Sequence, residues 1–233
     1  MPTKYDLVWA DDFSGTSLDL SKWEYMLGDG STYGLYRWGN NEEQYYRKEN
    51  VTVSGGILRI KSIKEDFSGY EYTSGRIRSL NKGDFKYGKI EASIKMSNAG
   101  GLWHALWMLP SNPTKSWPIS GEIDIMEFVG NRANEIFNTL HFADNIGNRR
   151  QIGETEPIVY DNSFHKYAVE WTANKITWYL DDVETFSVLR TNSQINSTWP
   201  FDAEFHILLN TAVGGNLGGN VSASTLQSAQ YIE

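Results

Sequence analysis

The sequence predicts an all-β chain folded as an antiparallel β-sandwich or β-jelly roll. Three observations carry that reading. Apolar residues alternate with period two almost throughout, turn signals recur at short intervals, and no long stretch shows helical spacing. A length of 233 residues suits one all-β domain, since such domains commonly run to about 200–250 residues. No linker, charge run or internal repeat divides the chain, so residues 1–233 are read as one domain.

The elements follow from the alternation. The clearest strand covers 89–96, where Ile90, Ala92, Ile94 and Met96 share one face and polar residues the other. The same pattern predicts strands at 5–9, 51–53, 57–63, 75–80, 102–109, 123–129, 136–142 and 205–213. Segments 167–171 and 175–180 flank the polar Thr172-Ala173-Asn174 and read as a hairpin. Between strands stand turn formers: Ser54-Gly55-Gly56, Asn81-Lys82-Gly83, and the Gly- and Asn-bearing stretches 98–101 and 214–220. Residues 17–23 could form one short helical turn.

Composition narrows the function. With 21 basic and 29 acidic residues the net charge is −8, which argues against a nucleic-acid partner and against an anionic membrane surface. No apolar run approaches the roughly 20 residues that cross a bilayer, and Met1-Pro2-Thr3-Lys4 is followed by no apolar signal core. With no Cys, a thiol nucleophile, a disulfide framework and thiolate metal sites are excluded. The 9 Trp, 13 Tyr and 10 Phe supply more rings than a core of this size needs, and flat rings suit a ligand with apolar faces, such as a sugar.

The informative segment is Gly121-Glu122-Ile123-Asp124-Ile125-Met126-Glu127-Phe128-Val129-Gly130. In a regular strand Glu122 and Asp124 point away from Ile123 and Ile125, but strict alternation then sends Glu127 into the core. Burying it unpaired would cost several kcal/mol. A β-bulge at Ile125-Met126 resets the alternation and returns Glu127 to the face of Glu122 and Asp124. Three carboxylates on one face repel, so one holds a proton while another stays ionised. A retaining glycosidase needs that pair, with carboxyl groups about 5–5.5 Å apart. The pattern alone leaves open a solvated strand face or a cation site.

Segment 121–130 resembles the active-site strand of glycoside hydrolase family 16, laminarinase branch, in its bulged Glu-x-Asp-x-x-Glu form. The resemblance extends along the chain through Leu7-Val8-Trp9 with Asp12-Phe13, Trp38-Gly39-Asn40-Asn41-Glu42 with Gln44-Tyr45-Tyr46, and Tyr72-Thr73-Ser74-Gly75-Arg76-Ile77. It continues through Phe85 with Tyr87-Gly88, Trp107-Met108-Leu109-Pro110, Trp117-Pro118, Trp199-Pro200-Phe201, and Leu209-Asn210 with Ala212-Val213-Gly214-Gly215-Asn216. It implies a jelly roll with a concave substrate groove. It also implies Glu122 as nucleophile, Glu127 as general acid and then base, and Asp124 between them.

The same resemblance places Asn41 and Arg76 against sugar hydroxyls, Trp117 as a stacking ring, and His141 beside the acids. Arg76 could instead serve a structural ion pair, and His141 a structural hydrogen bond. Trp103 and Trp107, four apart, share a face; they are candidate sugar rings, of which one could be core filler. Asn216 sits on a Gly-rich loop that could border the groove. His104, His165 and His206 have no metal-ligand spacing, and no catalytic metal or cofactor is expected.

His104 and Glu43 depart from the family pattern and could alter the groove rim. The chain also stops at Tyr231-Ile232-Glu233, where the family's last strand would begin. This leads to the expectation of a missing strand and an open sheet edge, and makes the family's structural calcium doubtful, with Glu233 a possible substitute ligand. The expected function is endo-hydrolysis of β-1,3-glucan with retention, extending to mixed β-1,3/1,4-glucan, by an extracellular monomer whose leader is absent from this sequence. The alternatives are a lichenan-, xyloglucan- or agar-cleaving relative, a non-catalytic glucan-binding module of lectin type, and a calcium-binding structural domain.

Overall fold

The computed structural model describes residues 5–195, 197–222, 224 and 226–233; Met1–Lys4, discussed above, lie outside them. Among the described residues the strands run β1 (Glu24–Tyr25), β2 (Gln44–Tyr46), β3 (Val51–Ser54), β4 (Ile57–Phe67), β5 (Tyr70–Ser74), β6 (Arg76–Arg78), β7 (Asp84–Phe85), β8 (Gly88–Ile94) and β9 (Leu102–Pro110). They continue with β10 (Glu122–Val129), β11 (Glu135–Ala143), β12 (Arg149–Pro157), β13 (His165–Trp171), β14 (Lys175–Leu180), β15 (Val183–Leu189), β16 (Phe205–Val213) and β17 (Gln230–Ile232). One sheet has the order β1-β6-β16-β9-β10-β11-β12, with β7 also on β16. A second has the order β15-β14-β13-β8, and a third β17-β4-β5-β2 with β3 on β4.

Most predicted strands are present within a residue or two, and the 167–180 hairpin pairs in register from Tyr167 opposite Leu180 to Trp171 opposite Ile176. Segment 5–9 is a correction. It has no ladder partner, and Trp9 instead packs its ring edge-on against Trp23 and Phe85. Strand β12 (Arg-Arg-Gln-Ile-Gly-Glu-Thr-Glu-Pro) carries no period-two apolar signal because it is an edge strand, largely exposed on both faces.

The C-terminal end is a second correction, in part. Gln230–Ile232 already form a short strand that pairs with β4 through Gln230–Ser62, Tyr231–Lys61 and Ile232–Ile60, while β8 keeps β13 as its only ladder partner along Gly88–Ile94 among the described residues. The other side of β17 meets the continuation of β8. Lys95 and Glu233 exchange backbone hydrogen bonds at 2.9 and 2.8 Å, and the Ser97 N–H donates to the Tyr231 carbonyl at 3.0 Å. This joins the second and third sheets into one outer layer. Glu233, considered above as a calcium ligand, is held instead by Arg59 at 2.6 Å and by Lys95.

The core lies between the outer layer and the β1–β12 sheet. It contains Ile123, Ile125, Met126 and Phe128 of β10, Leu140 and Phe142 of β11, and Trp171, Ile176 and Trp178 from the outer layer. Five of the nine Trp (Trp23, Trp38, Trp171, Trp178, Trp199) are buried, so most of the aromatic excess fills the interior. His104 is a third correction: it is fully buried, stacked on Phe128, and bonded to Thr211 at 2.8 Å and the Ser97 carbonyl at 2.9 Å. It therefore does not shape the groove rim.

Because Ile232 is almost wholly buried at the seam of the outer layer, Ile232→Ala is expected to lower stability by about 2–5 kcal/mol. Urea denaturation checks this, and an unchanged midpoint would mean that β17 adds nothing to the layer.

Candidate active site

The acidic strand is bulged where the alternation required it. Against β9, Asp124 faces Trp107 but Met126 faces Leu106, leaving Ile125 as the extra residue. Against β11, Asp124 faces Thr139 and Glu127 faces Phe137. Ile123, Ile125, Met126 and Phe128 all enter the core, while Glu122, Asp124 and Glu127 share the opposite face with Trp107, Thr139 and His141. The strand is entered through Gly121, whose φ is +87°. A Cβ there would stand 2.9 Å from Pro200 and 3.0 Å from Phe201, so glycine is the residue that lets the 199–201 segment close over the start of β10.

Each acid has its own partner. Trp117 donates its indole N–H to Glu122 at 2.6 Å, and Trp103 donates to Glu127 at 2.9 Å. His141 Nε2 lies 3.2 Å from Asp124 Oδ2. On the core side, Trp178 donates to the Asp124 backbone carbonyl at 2.8 Å.

Asp124 and Glu127 are 2 % and 9 % exposed. Burial pushes Glu127 up to about 7, with the charge of Glu122 adding to the effect and the Trp103 N–H opposing it. Burial pushes Glu122 up to about 8, with the charge of Asp124 adding and His141 and the Trp117 N–H opposing. Asp124 is raised well above the ordinary range by burial and by Glu127. Three such groups do not ionise together. Glu122 and Asp124 share a hydrogen bond that raises Glu122 and lowers Asp124, so attack by Glu122 requires the shared proton to pass to Asp124 while Glu127 keeps its own.

The predicted binding residues fall into two groups. Trp103, Trp107, Trp117 and His141 surround the acids. Trp117 is 45 % exposed, with its ring 6.1 Å from His141 and the Arg149 guanidinium 4.9 Å over it. Trp107 donates to Asn210 at 2.8 Å and carries the Arg76 guanidinium 4.9 Å above its ring. Arg76 also lies 4.4 Å over Trp38, with its Nε 3.3 Å from Met26 Sδ. It is a clamped, buried cation rather than the structural ion pair considered above. Asn41 and Asn216 meet further along the rim, with Asn41 donating to Asn216 at 2.8 Å.

Residues not singled out from the sequence complete this half of the groove. The buried Glu42 accepts from Gln44 at 2.6 Å and Tyr46 at 3.1 Å, and Asn210 donates to the Tyr46 hydroxyl at 3.1 Å. Only the fold brings β2, β6 and β16 together, although the polar and aromatic run Glu42-Glu43-Gln44-Tyr45-Tyr46 was visible. Glu122, Asp124 and His141 each offer a ligand atom within 4.8 Å of the others.

The family model for glycosyl hydrolases family 16 matches residues 38–230. The chain belongs to this family. It is 37 % identical over 231 residues to a beta-glucanase from Rhodothermus marinus, covering 92 % of this chain and 78 % of that one. It is also 37 % identical to the glucan endo-1,3-beta-glucosidase A1 of Niallia circulans, covering 98 % of this chain but only 37 % of that longer protein. In structure it is similar to the laminarinase catalytic domain of Thermotoga maritima MSB8, with a TM-score of 0.91, 33 % identity, and coverage of 99 % and 95 %. The family's jelly roll is thus the fold of this chain.

A raised carboxyl pKa means that the folded state keeps a proton which the unfolded chain releases from about pH 4 upward. Stability is therefore full below that range and falls as pH rises towards 7–8. Glu127→Gln, which cannot ionise, is expected to melt above wild type at pH 8 and close to it at pH 4. Thermal melts at the two pH values test this, and an equal offset at both would contradict a protonated Glu127.

Proposed function

We propose that the chain cleaves β-1,3-glucan internally by double displacement with retention of configuration. The observation that carries this reading is the bulge that puts Glu127, with its pKa pushed up to about 7, on the face of Glu122 and Asp124. In the first step Glu122 attacks the anomeric carbon, the glycosidic C–O bond breaks, and the Glu127 proton goes to the leaving oxygen. Trp117 holds the attacking carboxylate in place. In the second step Glu127, now a base, takes a proton from water; the water oxygen bonds to the anomeric carbon and Glu122 leaves.

The names of the Niallia circulans glucan endo-1,3-beta-glucosidase and the Thermotoga maritima laminarinase support β-1,3-glucan as the substrate; the Rhodothermus marinus name, beta-glucanase, fixes no linkage, and mixed β-1,3/1,4-glucan is a second candidate. The exposed Trp117 ring and the buried Arg76–Trp107–Asn210 group suit a neutral, hydroxyl-rich chain. Asn41 and Asn216 would contact hydroxyls at the rim. This chemistry requires no cofactor. A polymeric substrate fits action outside the cell.

Release of reducing ends from laminarin is expected, together with weaker release from lichenan, and Glu122→Gln should abolish both by several orders of magnitude while remaining folded. Binding without release by folded wild type would favour the glucan-binding alternative. The profile of kcat/KM against pH should be a bell displaced upward, with activity still rising between about pH 5 and 6, because burial lifts the whole cluster above the ordinary carboxyl range near 4. A plateau reached by pH 5 would contradict that displacement.

A further inference from the structure

The bulge that aligns the three acids leaves the acidic strand with a local deficit. At a bulge one residue loses its ladder partner, and a buried carbonyl without a donor costs about 1–3 kcal/mol. The extra residue here is Ile125, almost fully buried. Its carbonyl is met from an unexpected place. Asn138 of β11 donates its Nδ2 to the Ile125 oxygen at 2.8 Å. Asn138 is 4 % exposed and lies in the core-facing row of β11, between Ile136 and Leu140, where the alternation calls for an apolar residue. Its own Oδ1 accepts from the Thr185 hydroxyl of β15, in the outer layer, at 3.3 Å. One residue earlier, the Asp124 carbonyl accepts from Trp178 of β14, also in the outer layer, at 2.8 Å.

We infer that Asn138, together with Trp178, is a positioning residue that pins the bulge in β10 and thereby sets the direction of the Glu127 carboxyl. Two consecutive carbonyls, Asp124 and Ile125, are held by side chains from the core side, and neither Asn138 nor Trp178 faces the groove. The alternative register is close at hand. Without the extra residue, β10 returns to strict alternation, Glu127 turns towards the core and Met126 towards the groove. A slip of that kind is opposed by the loss of two buried hydrogen bonds at once. A merely structural asparagine would add stability only. A register pin also fixes how far Glu127 stands from Glu122 and from the Trp103 N–H, and hence both the reaction geometry and the affinity of Glu127 for its proton.

This inference rests on the glycosidase reading for its kinetic arm and is independent of it for its titration arm. The test uses the full chain and two variants. Asn138→Leu keeps the volume and removes the donor; Trp178→Phe keeps a ring in the core and removes the indole N–H. Both are first checked for folding by circular dichroism. Displacement of a catalytic group by about 1 Å costs on the order of 100-fold. Asn138→Leu is therefore expected to lower kcat on laminarin by about 10- to 100-fold with KM within about twofold, and to displace the alkaline limb of the pH profile. Trp178→Phe should do the same to a smaller degree.

The second readout is the titration of the Glu127 side-chain carboxyl followed by carbon NMR, which should shift in both variants. Folded variants that keep the wild-type kcat, pH profile and Glu127 titration would overturn the inference, even if they melt lower. So would a rise in KM alone. If Asn138→Leu does not fold, Trp178→Phe and Thr185→Val decide; Thr185→Val removes one polar contact at nearly constant volume, and Trp178→Phe keeps an aromatic ring in place at the cost of some core volume. If wild type releases nothing from any glucan, the proposed function fails, while the NMR arm still tests the pin.

Discussion

The inserted residue in β10 governs both the inside and the outside of this molecule. On the inside, the bulge puts Ile125 and Met126 side by side in the core, so that Phe128 continues the apolar row. On the outside, it lets Glu127 join Glu122 and Asp124 on the concave sheet instead of being buried among isoleucines. The same backbone irregularity thus satisfies the hydrophobic core and assembles a group of three carboxyls. Its removal would be costly on both faces: a regular strand would place Glu127 in the core and Met126 in the groove.

Such a cluster is a cost to the fold. Three carboxyls with little water around them favour their protonated forms, so each proton released towards neutral pH weakens the native state. The surroundings offset part of this. The indoles of Trp117 and Trp103 donate to Glu122 and Glu127, and His141 stands beside Asp124. What remains unrelieved is useful, because an acid that still holds its proton near pH 7 can give it to a leaving alkoxide. The buried Arg76, wedged between Trp38 and Trp107, shows a comparable compromise on the other half of the groove, where burial presses its guanidinium towards neutrality.

Much of this was legible in the sequence, for identifiable reasons. Ile123, Ile125, Glu122 and Asp124 obey period two, and the misfit at Met126-Glu127 demands a bulge on its own. The strand bounds 205–213 and 175–180 also match, although β16 is buried on both faces and its apolar run carries little alternation. Strand β12 is missed, because an edge strand that buries neither face need not alternate. Segment 5–9 alternates for another reason: Trp9 packs against Trp23 and Phe85 without any strand partner. His104 is assigned to the rim only by its departure from the family pattern, yet it follows Trp103 in the strand and so faces the other way, where the ring is satisfied by Thr211 and Ser97. The role of Asn138 was the hardest to see. Its signal, one amide in an apolar row, acquires meaning only when the bulge lies opposite it.

The central claim is that Glu122 attacks while Glu127, on the same face only through the bulge, supplies the proton. Incubation with an activated 2-deoxy-2-fluoro-laminaribioside, whose fluorine slows the second step more than the first, followed by peptide mass mapping, tests it most directly. The account predicts one covalent sugar adduct, on Glu122, and none in Glu122→Gln. An adduct on Glu127 or Asp124, or turnover of laminarin giving the inverted anomer with no adduct at all, would contradict it.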